Sequence, residues 1–317
     1  MSVAEQRLDP AATRLAPPVT AIVPTHRRPE LMRAAVASIL AQEYAGEIEV
    51  VVVFDACGPE LPDVDVPEGR VLRAVVNDRV RGLAGARNSG ILAARHDYIA
   101  FLDDDDHWLP GKLAAQMAVF DEHPSVGLVG TAMQVDDGRR THDRPVPLTV
   151  VGHSDLVRDR IAGLHSSSFV FRRSVLVDGV GMIDEDLPGA YGEDYDVLLS
   201  TSRLAPIRLV NEPLVSVRWS GQSFFYGKWA QYAEGLTYIL GKHPELSADP
   251  HAKARISSQI GFALAAAGRR GEARGWLRRS LRTQPLNVRA WLGLLISARL
   301  MSADAVAKVA NLVGKGI

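Results

Sequence analysis

The residues of this 317-residue chain with the type and spacing for chemistry are four consecutive aspartates, Asp103, Asp104, Asp105 and Asp106. They end the short apolar run from Tyr98 to Leu102, which reads as a buried strand. Carboxylates this close raise one another's pKa, and a buried, unpaired charge costs about 3 kcal/mol or more. A hard divalent cation removes the repulsion, and Mg2+ or Mn2+ takes carboxylate and phosphate oxygens together. The plainer alternative is a solvated acidic turn ahead of a helix that starts near Leu109, favoured by the helix dipole. A second acidic group, Glu193, Asp194 and Asp196 in GEDYDVLLS, opens another predicted helix and is open to the same dipole reading.

The elements around these groups follow from periodicity. Strands are expected at VTAIVPT from Val19, at Ile48 to Phe54, at Arg70 to Val76 and at Tyr98 to Leu102. Helices are expected at Pro29 to Gln42, with Pro29 in the first turn, at Leu83 to Ala94 and at Lys112 to Glu122. Strands alternating with helices at this spacing indicate parallel βαβ units. Ligands of such sheets sit at the carboxyl ends of the strands, where Thr25, Asp55, Asn77 and the aspartates all fall. Further strands are expected at Val126 to Gln134, at Ser166 to Arg173, and as a pair over Ile207 to Val217 broken at Asn211-Glu212-Pro213. Asp136-Asp137-Gly138 reads as a turn, the stretch to Val151 as irregular, and Ser174 as the cap of a short helix.

From about Gly227 alanine, leucine and arginine dominate and strand signals vanish. The expected organisation is a flexible lead over 1–17, an α/β domain over 18–226 and a small all-α domain over 227–317. In the last of these, Gly261, Ala273, Leu277 and Pro285 fall where a tetratricopeptide repeat places its small and apolar residues. The tail is therefore either a helical cap or a repeat-like pair that contacts a second copy or another protein.

Composition sets bounds. Hydrophobic residues make up 47% and charged residues 23%, ordinary for a globular protein, and the net charge of −1 gives no overall field to recruit nucleic acid. The lone Cys57 excludes an internal disulfide. The N-terminus lacks the apolar core of a signal peptide, and no stretch reaches the roughly 18 apolar residues of a membrane span. A cytoplasmic protein without an integral membrane segment is expected, with peripheral membrane contact if its substrate is lipid-linked.

The segments VTAIVPTHRRPELMRAAVASILAQ, IEVVVVFDAC, RGLAGARNSGI, YIAFLDDDDHWLPGKLAAQ and GEDYDVLLS together resemble the family 2 glycosyltransferases of the GT-A fold, over roughly residues 18 to 225. The resemblance implies a mostly parallel nucleotide-binding sheet flanked by helices. It also implies an inverting, Mn2+- or Mg2+-dependent transferase using a nucleotide sugar, most often a UDP sugar. Carried onto this chain, it places Pro24, Thr25 and Arg27 near the nucleotide and Asp55 on the base. It places Arg87 near the phosphates, and Asp103 to Asp105 on the D-x-D element. Asp105 and Asp103 then serve the metal, Asp104 the ribose, Asp194 is the base, and Glu193 holds hydroxyls. The adjacent Asp106 offers a competing register for the metal, and Glu193 and Asp194 are interchangeable as base. His107 is expected in the site wall, His165 as a wall contact or a packed residue, and Arg218 in RWSGQS as a phosphate clamp. The chain departs from the family around Asp55, where Phe54-Asp55-Ala56-Cys57 stands in place of the usual two acidic residues followed by Gly-Ser, so dTDP and GDP donors stay open. The acceptor is a glycan, small molecule or peptide.

Two other classes compete. A sugar-phosphate nucleotidyltransferase also uses an α/β sheet and Mg2+, but it carries a glycine-rich phosphate loop, and THRRPE has no glycine. An inactive scaffold acting through the helical tail would be expected to lack the acidic groups, and both are present.

Overall fold

The computed structural model describes residues 16–219, 228–303 and 305–306. Its centre is a 10-stranded mixed sheet. β1 (Val19–Thr25) and β2 (Ile48–Phe54) are buried along their whole length, because helices cover both faces and continuous β-branched runs suit that environment. β3 (Arg70–Val76) pairs in parallel with β2 at the edge, and β4 (Tyr98–Phe101) pairs in parallel with β1 on the other side. α1 (Pro29–Leu40) places Pro29 in its first turn and buries Met32, Ala35, Val36, Ile39 and Leu40 on one face. α2 (Leu83–Ala93) crosses the opposite face. At Gly90 a Cβ would lie 2.4 Å from Ile22 and 3.0 Å from Val53, so the close approach that glycine permits there is to the sheet itself.

Beyond β4 the sheet turns mixed. β5 (His107–Trp108) is a short strand, followed by α3 (Lys112–Glu122). β6 (Leu128–Asp136) leads into β7 (Thr141–Arg144), an antiparallel hairpin partner, and β8 (Val150–Val151) joins further along. The stretch expected to be irregular thus carries two strands, and the turn at Asp136 to Gly138 is the tip of that hairpin. α4 (His153–Arg158) follows. Over residues 166–173 the expected single strand is instead a 3-10 turn, Ser166–Ser168, and a three-residue strand, β9 (Val170–Arg172). The cause is local: Ser168 Oγ donates to the His165 carbonyl at 2.7 Å and the His165 ring accepts from the Ser167 N–H, so polar side chains satisfy the backbone in place of a sheet ladder. Ser174 precedes a π-type turn, Val175–Val180, without a side-chain capping bond.

α5 (Glu193–Ser202) carries the second acidic group. The expected strand pair over 207–217 is one strand, β10 (Ile207–Arg218), parallel to β6 with register shifts on either side of Pro213. Proline has no N–H to give the ladder, and the irregularity absorbs that loss without ending the strand. The strand order is β3-β2-β1-β4-β9-β6-β10-β5, with β7 on β6 and β8 on β10.

The C-terminal part is all helical: α6 (Trp229–Lys242), α7 (Pro244–Ala248), α8 (Pro250–Ala266), α9 (Arg270–Thr283) and α10 (Val288–Ser297). α8 and α9 close tightly because Gly261 has no side chain; a Cβ there would sit 2.7 Å from Leu277. One buried apolar cluster runs from Ile22 and Phe101 in the sheet through Leu198 of α5 to Ile239, Phe262 and Leu277. Among the described residues no helix is long and apolar enough to cross a membrane.

Candidate active site

β1, β2 and β4 are parallel and deliver Thr25, Asp55 and Asp103–Asp106 to one edge of the sheet. Thr25 is buried and donates from Oγ1 to Asp104 Oδ2 at 2.8 Å. Arg28 places Nη1 3.0 Å from Asp104 Oδ1 and 3.1 Å from Asp105 Oδ2. The arginine that meets the aspartates is therefore Arg28, while Arg27 is exposed with a left-handed φ of 54°. Pro24 is buried at the end of β1. Asp55 accepts from Asn77 Nδ2 at 2.7 Å and from the Gly82 N–H at 3.1 Å, which fixes the loops after β2, β3 and ahead of α2 around it.

Asp106 is buried at the floor. Its Oδ2 accepts from Ser167 Oγ at 2.6 Å and its Oδ1 from the Arg218 N–H at 3.0 Å. Burial pushes its carboxyl up to about 7, against the downward pull of His165. Asp104 and Asp105 are raised as well, first by burial and then by neighbouring carboxylates, with Thr25 and Arg28 opposing the rise in Asp104 and Arg28 in Asp105. These shifts express burial first and neighbouring negative charge second, and a cation bound beside the carboxylates would oppose both. One ligand atom each from Asp103, Asp106 and His165 lie within 4.8 Å of one another. His165 is thus turned toward the acidic group. His107 sits on β5 opposite Ser216, and its pKa is lowered, by burial first and then by Arg218.

Arg87, expected near phosphates, is only 1% exposed and faces carboxylates. Its Nη2 lies 2.5 Å from Asp103 Oδ1 and 3.1 Å from Ser166 Oγ, and its Nη1 pairs with Glu193. The two acidic groups, 90 residues apart in the chain, are therefore joined through one guanidinium. Glu193 is buried and its Oε2 has no hydrogen-bond partner among the described residues. Asp194 lies 2.5 Å from Arg160 Nη2. Burial pushes the Asp194 carboxyl up, but the charge and hydrogen bond of Arg160 outweigh it and hold the group below the usual carboxylate range. Asp196 points away from this site, toward Lys242 and His243 of the C-terminal helices, so it is paired rather than left to the helix dipole. Arg218 ends β10 with an exposed side chain, and Trp219 stacks under Arg144 at 5.2 Å. The rest of the RWSGQS motif, residues 220–223, lies outside the described residues.

Arg28 and Arg160 escape sequence reasoning, whereas Ser167 falls in HSSSF, His165 to Phe169, a stretch that resembles the family's donor-sugar or acceptor wall. Arg28 stands next to Arg27 in THRRPE, and nothing in that motif says which of the two meets the aspartates. Arg160 sits in an irregular loop with no motif around it.

A mostly parallel sheet flanked by helices, with acidic groups converging at the carboxyl ends of its strands, is an α/β architecture of the GT-A kind. Glycosyl transferase family 2 matches over residues 20–179, about half of the chain, and the chain belongs to that family. It is 26% identical over 200 residues to an uncharacterized glycosyltransferase of Haemophilus influenzae, a match covering 61% of this chain and 65% of that protein. It is 32% identical over 101 residues to the Escherichia coli UDP-Glc:alpha-D-GlcNAc-diphosphoundecaprenol beta-1,3-glucosyltransferase WfaP, covering 31% of this chain and 39% of that one. The chain thus spans less than two thirds of either relative. In fold it is similar to S. aureus TarS, crystallised with UDP-GlcNAc, with a TM-score of 0.61 and 18% identity over 94% of this chain and 92% of that one.

Proposed function

We propose that this chain moves a sugar from a nucleotide sugar, a UDP sugar first, to an acceptor hydroxyl with inversion at the anomeric carbon. The observation that supports the reading is the junction at Arg87, whose guanidinium pairs with both Asp103 and Glu193, the chain neighbour of Asp194. Asp194 is the base: held below the usual carboxylate range, it is ionised at neutral pH and accepts the acceptor's hydroxyl proton. The acceptor oxygen then bonds to the anomeric carbon as the bond from that carbon to the phosphate oxygen breaks, and the nucleoside diphosphate leaves. Glu193 uses its unpartnered Oε2 to hold a substrate hydroxyl. Pro24, Thr25 and Asp55 border the base, Asp104 the ribose, and Arg27 and Arg218 supply exposed positive charge for the diphosphate.

Mn2+ or Mg2+ fits this set of hard oxygen donors. Asp105 and Asp103 would hold it. Asp106 keeps the competing register open, because it lies with Asp103 and His165 in a group whose ligand atoms are within 4.8 Å of one another. When bound, the cation neutralises charge on the leaving diphosphate. The name of WfaP, with UDP-Glc as donor and a diphosphoundecaprenol-linked acceptor, supports a UDP sugar and a lipid-linked glycan here.

The test is a binding and turnover screen of UDP, dTDP and GDP sugars with and without Mn2+. One nucleotide sugar is expected to bind in a metal-dependent way, to lose that dependence in Asp105→Ala, and to bind without turnover in Asp194→Asn. Absence of binding for every donor under every metal condition sinks the reading.

A further inference from the structure

The net charge of −1 conceals a strong separation. Residues 1–226 carry 22 lysines and arginines against 32 aspartates and glutamates, whereas residues 227–317 carry 14 against 5. Between positions 269 and 299 there are eight arginines and one acidic residue, Glu272. α9 turns Ala273, Leu277 and Ser280 inward and leaves Arg274, Arg278, Arg279 and Arg282 exposed. None of these four pairs with a described acidic side chain; Arg279 stacks on the Trp276 ring at 4.7 Å.

The turn that follows this basic face is apolar and exposed. Leu286 is 91% exposed, Val288 69% and Trp291 52%. The Trp291 indole N–H donates to the Pro285 carbonyl at 2.8 Å, which holds the ring over the turn and satisfies its one polar group within the protein. Arginines beside aliphatic side chains and an indole match an anionic lipid surface, where the cations meet headgroups and the apolar tips enter the acyl boundary. Nucleic acid would use the arginines but give Leu286 and Val288 nothing to bury against. A second copy of the chain could meet the arginines with its acidic front half, but would leave the same apolar tips against a charged surface.

We propose that the α9–α10 turn, with Arg278, Arg279, Arg282, Leu286, Val288 and Trp291, is a docking surface for an anionic bilayer. The surface lies outside the candidate active site and does not depend on the reaction proposed above.

The experiment is cosedimentation of the full chain with phosphatidylcholine vesicles and with vesicles rich in phosphatidylglycerol, at low and high salt. Binding is expected only to the anionic vesicles and is expected to weaken as salt screens the arginines. Replacing Arg278, Arg279 and Arg282 together by glutamine should weaken it by about tenfold or more. Leu286→Ser, at a site too exposed to affect folding, should weaken binding while leaving its salt response. Equal binding to both lipids, no binding to either, or unchanged binding by these variants overturns the proposal. So does concentration-dependent self-association, or retention on nucleic acid, by a chain that ignores vesicles. Nucleotide-sugar binding by the same variants should equal that of the parent, which keeps this test separate from that of the transferase reading.

Discussion

Asp196 Oδ1 lies 2.7 Å from His243 Nε2, and this contact ties the helix that begins with Glu193 and Asp194 to the C-terminal helices. Arg203 Nη2 stands 2.5 Å from the other ring nitrogen, Nδ1. A guanidinium only donates, so Nδ1 accepts and Nε2 carries the hydrogen given to Asp196. Lys242 Nζ adds a bond to Asp196 Oδ2 at 2.9 Å, and Arg255 reaches the Tyr195 hydroxyl at 3.0 Å. Both residues that follow Asp194 are thus gripped from the tail. His243→Ala leaves a buried carboxylate short of a donor and should cost about 2 kcal/mol in urea unfolding. His243→Gln, with an amide N–H where Nε2 stood, should recover part of it. The partly exposed Lys242 should cost less than about 1 kcal/mol on truncation, since solvent screens it. An alanine variant as stable as the parent would show that Asp196 does not need the imidazole.

The Arg160–Asp194 pair sets a pH dependence. Burial alone would raise the Asp194 carboxyl, and Arg160 is what brings it below the usual range. The base form therefore persists to lower pH than an unpaired buried aspartate would allow. In Arg160→Gln only His165 and the Tyr195 N–H still oppose burial, so the acidic limb of the kcat/KM profile should move to higher pH, with the alkaline limb in place. An acidic limb that stays fixed would remove Asp194 from the base role.

The fold was largely legible because its signals are local. The runs at Val19–Thr25, Ile48–Phe54 and Arg70–Val76 name their own strands, and Pro29 names a helix start. The acidic groups were legible for the same reason. What pairs with them was not. Arg87 was picked out for phosphates, yet it lies beneath Asp103 and Glu193, and nothing in GARNSG states which way a helix residue faces. His243 and Arg160 meet the acidic helix only through tertiary packing. Ser166 to Ser168 read as part of a strand because alternation with Phe169 and Phe171 suggests one, whereas hydrogen bonding by the serines to nearby backbone decides otherwise.

Arg87 gives the sharpest stability prediction. Its removal in Arg87→Met leaves Asp103 and Glu193 facing each other without a cation, and breaking such a buried pair costs about 3–5 kcal/mol. Lysine restores the charge but not the fork that reaches both carboxylates, so Arg87→Lys should recover less than half of the loss. Urea unfolding of the three proteins checks this. If Mn2+ binds among the aspartates, adding it should narrow the gap between Arg87→Met and the parent, because the cation takes over part of the neutralisation. A methionine variant within about 1 kcal/mol of the parent would mean that the two acidic groups do not rely on this residue.

Glu49 supplies a test of the sheet itself. It is buried in β2, where Thr20 Oγ1 donates to its Oε2 at 2.7 Å, the Arg95 N–H to the same oxygen at 3.1 Å, and Arg73 Nε to its Oε1 at 2.9 Å. Burial pushes its carboxyl up, but the hydrogen bonds from Thr20 and the Arg95 backbone, and then the hydrogen bond and charge of Arg73, bring it below the ordinary value of 4.5. A folded-state pKa below the unfolded one means stability that is present above about pH 4.5 and is lost as pH falls through the folded value. Glu49→Gln puts an amide NH2 among donors that need an acceptor and should cost about 2–4 kcal/mol at neutral pH. The gap between variant and parent should start to shrink as pH drops below 4.5, where the unfolded parent takes up the proton first, and should close once pH passes the lower folded value and the folded carboxyl is protonated too. Thermal unfolding from pH 7 down to the acid limit measures that gap directly. A gap that stays constant across the range would show that the charge on Glu49 contributes nothing to holding β1, β2 and β3 together, leaving only the shape of the side chain.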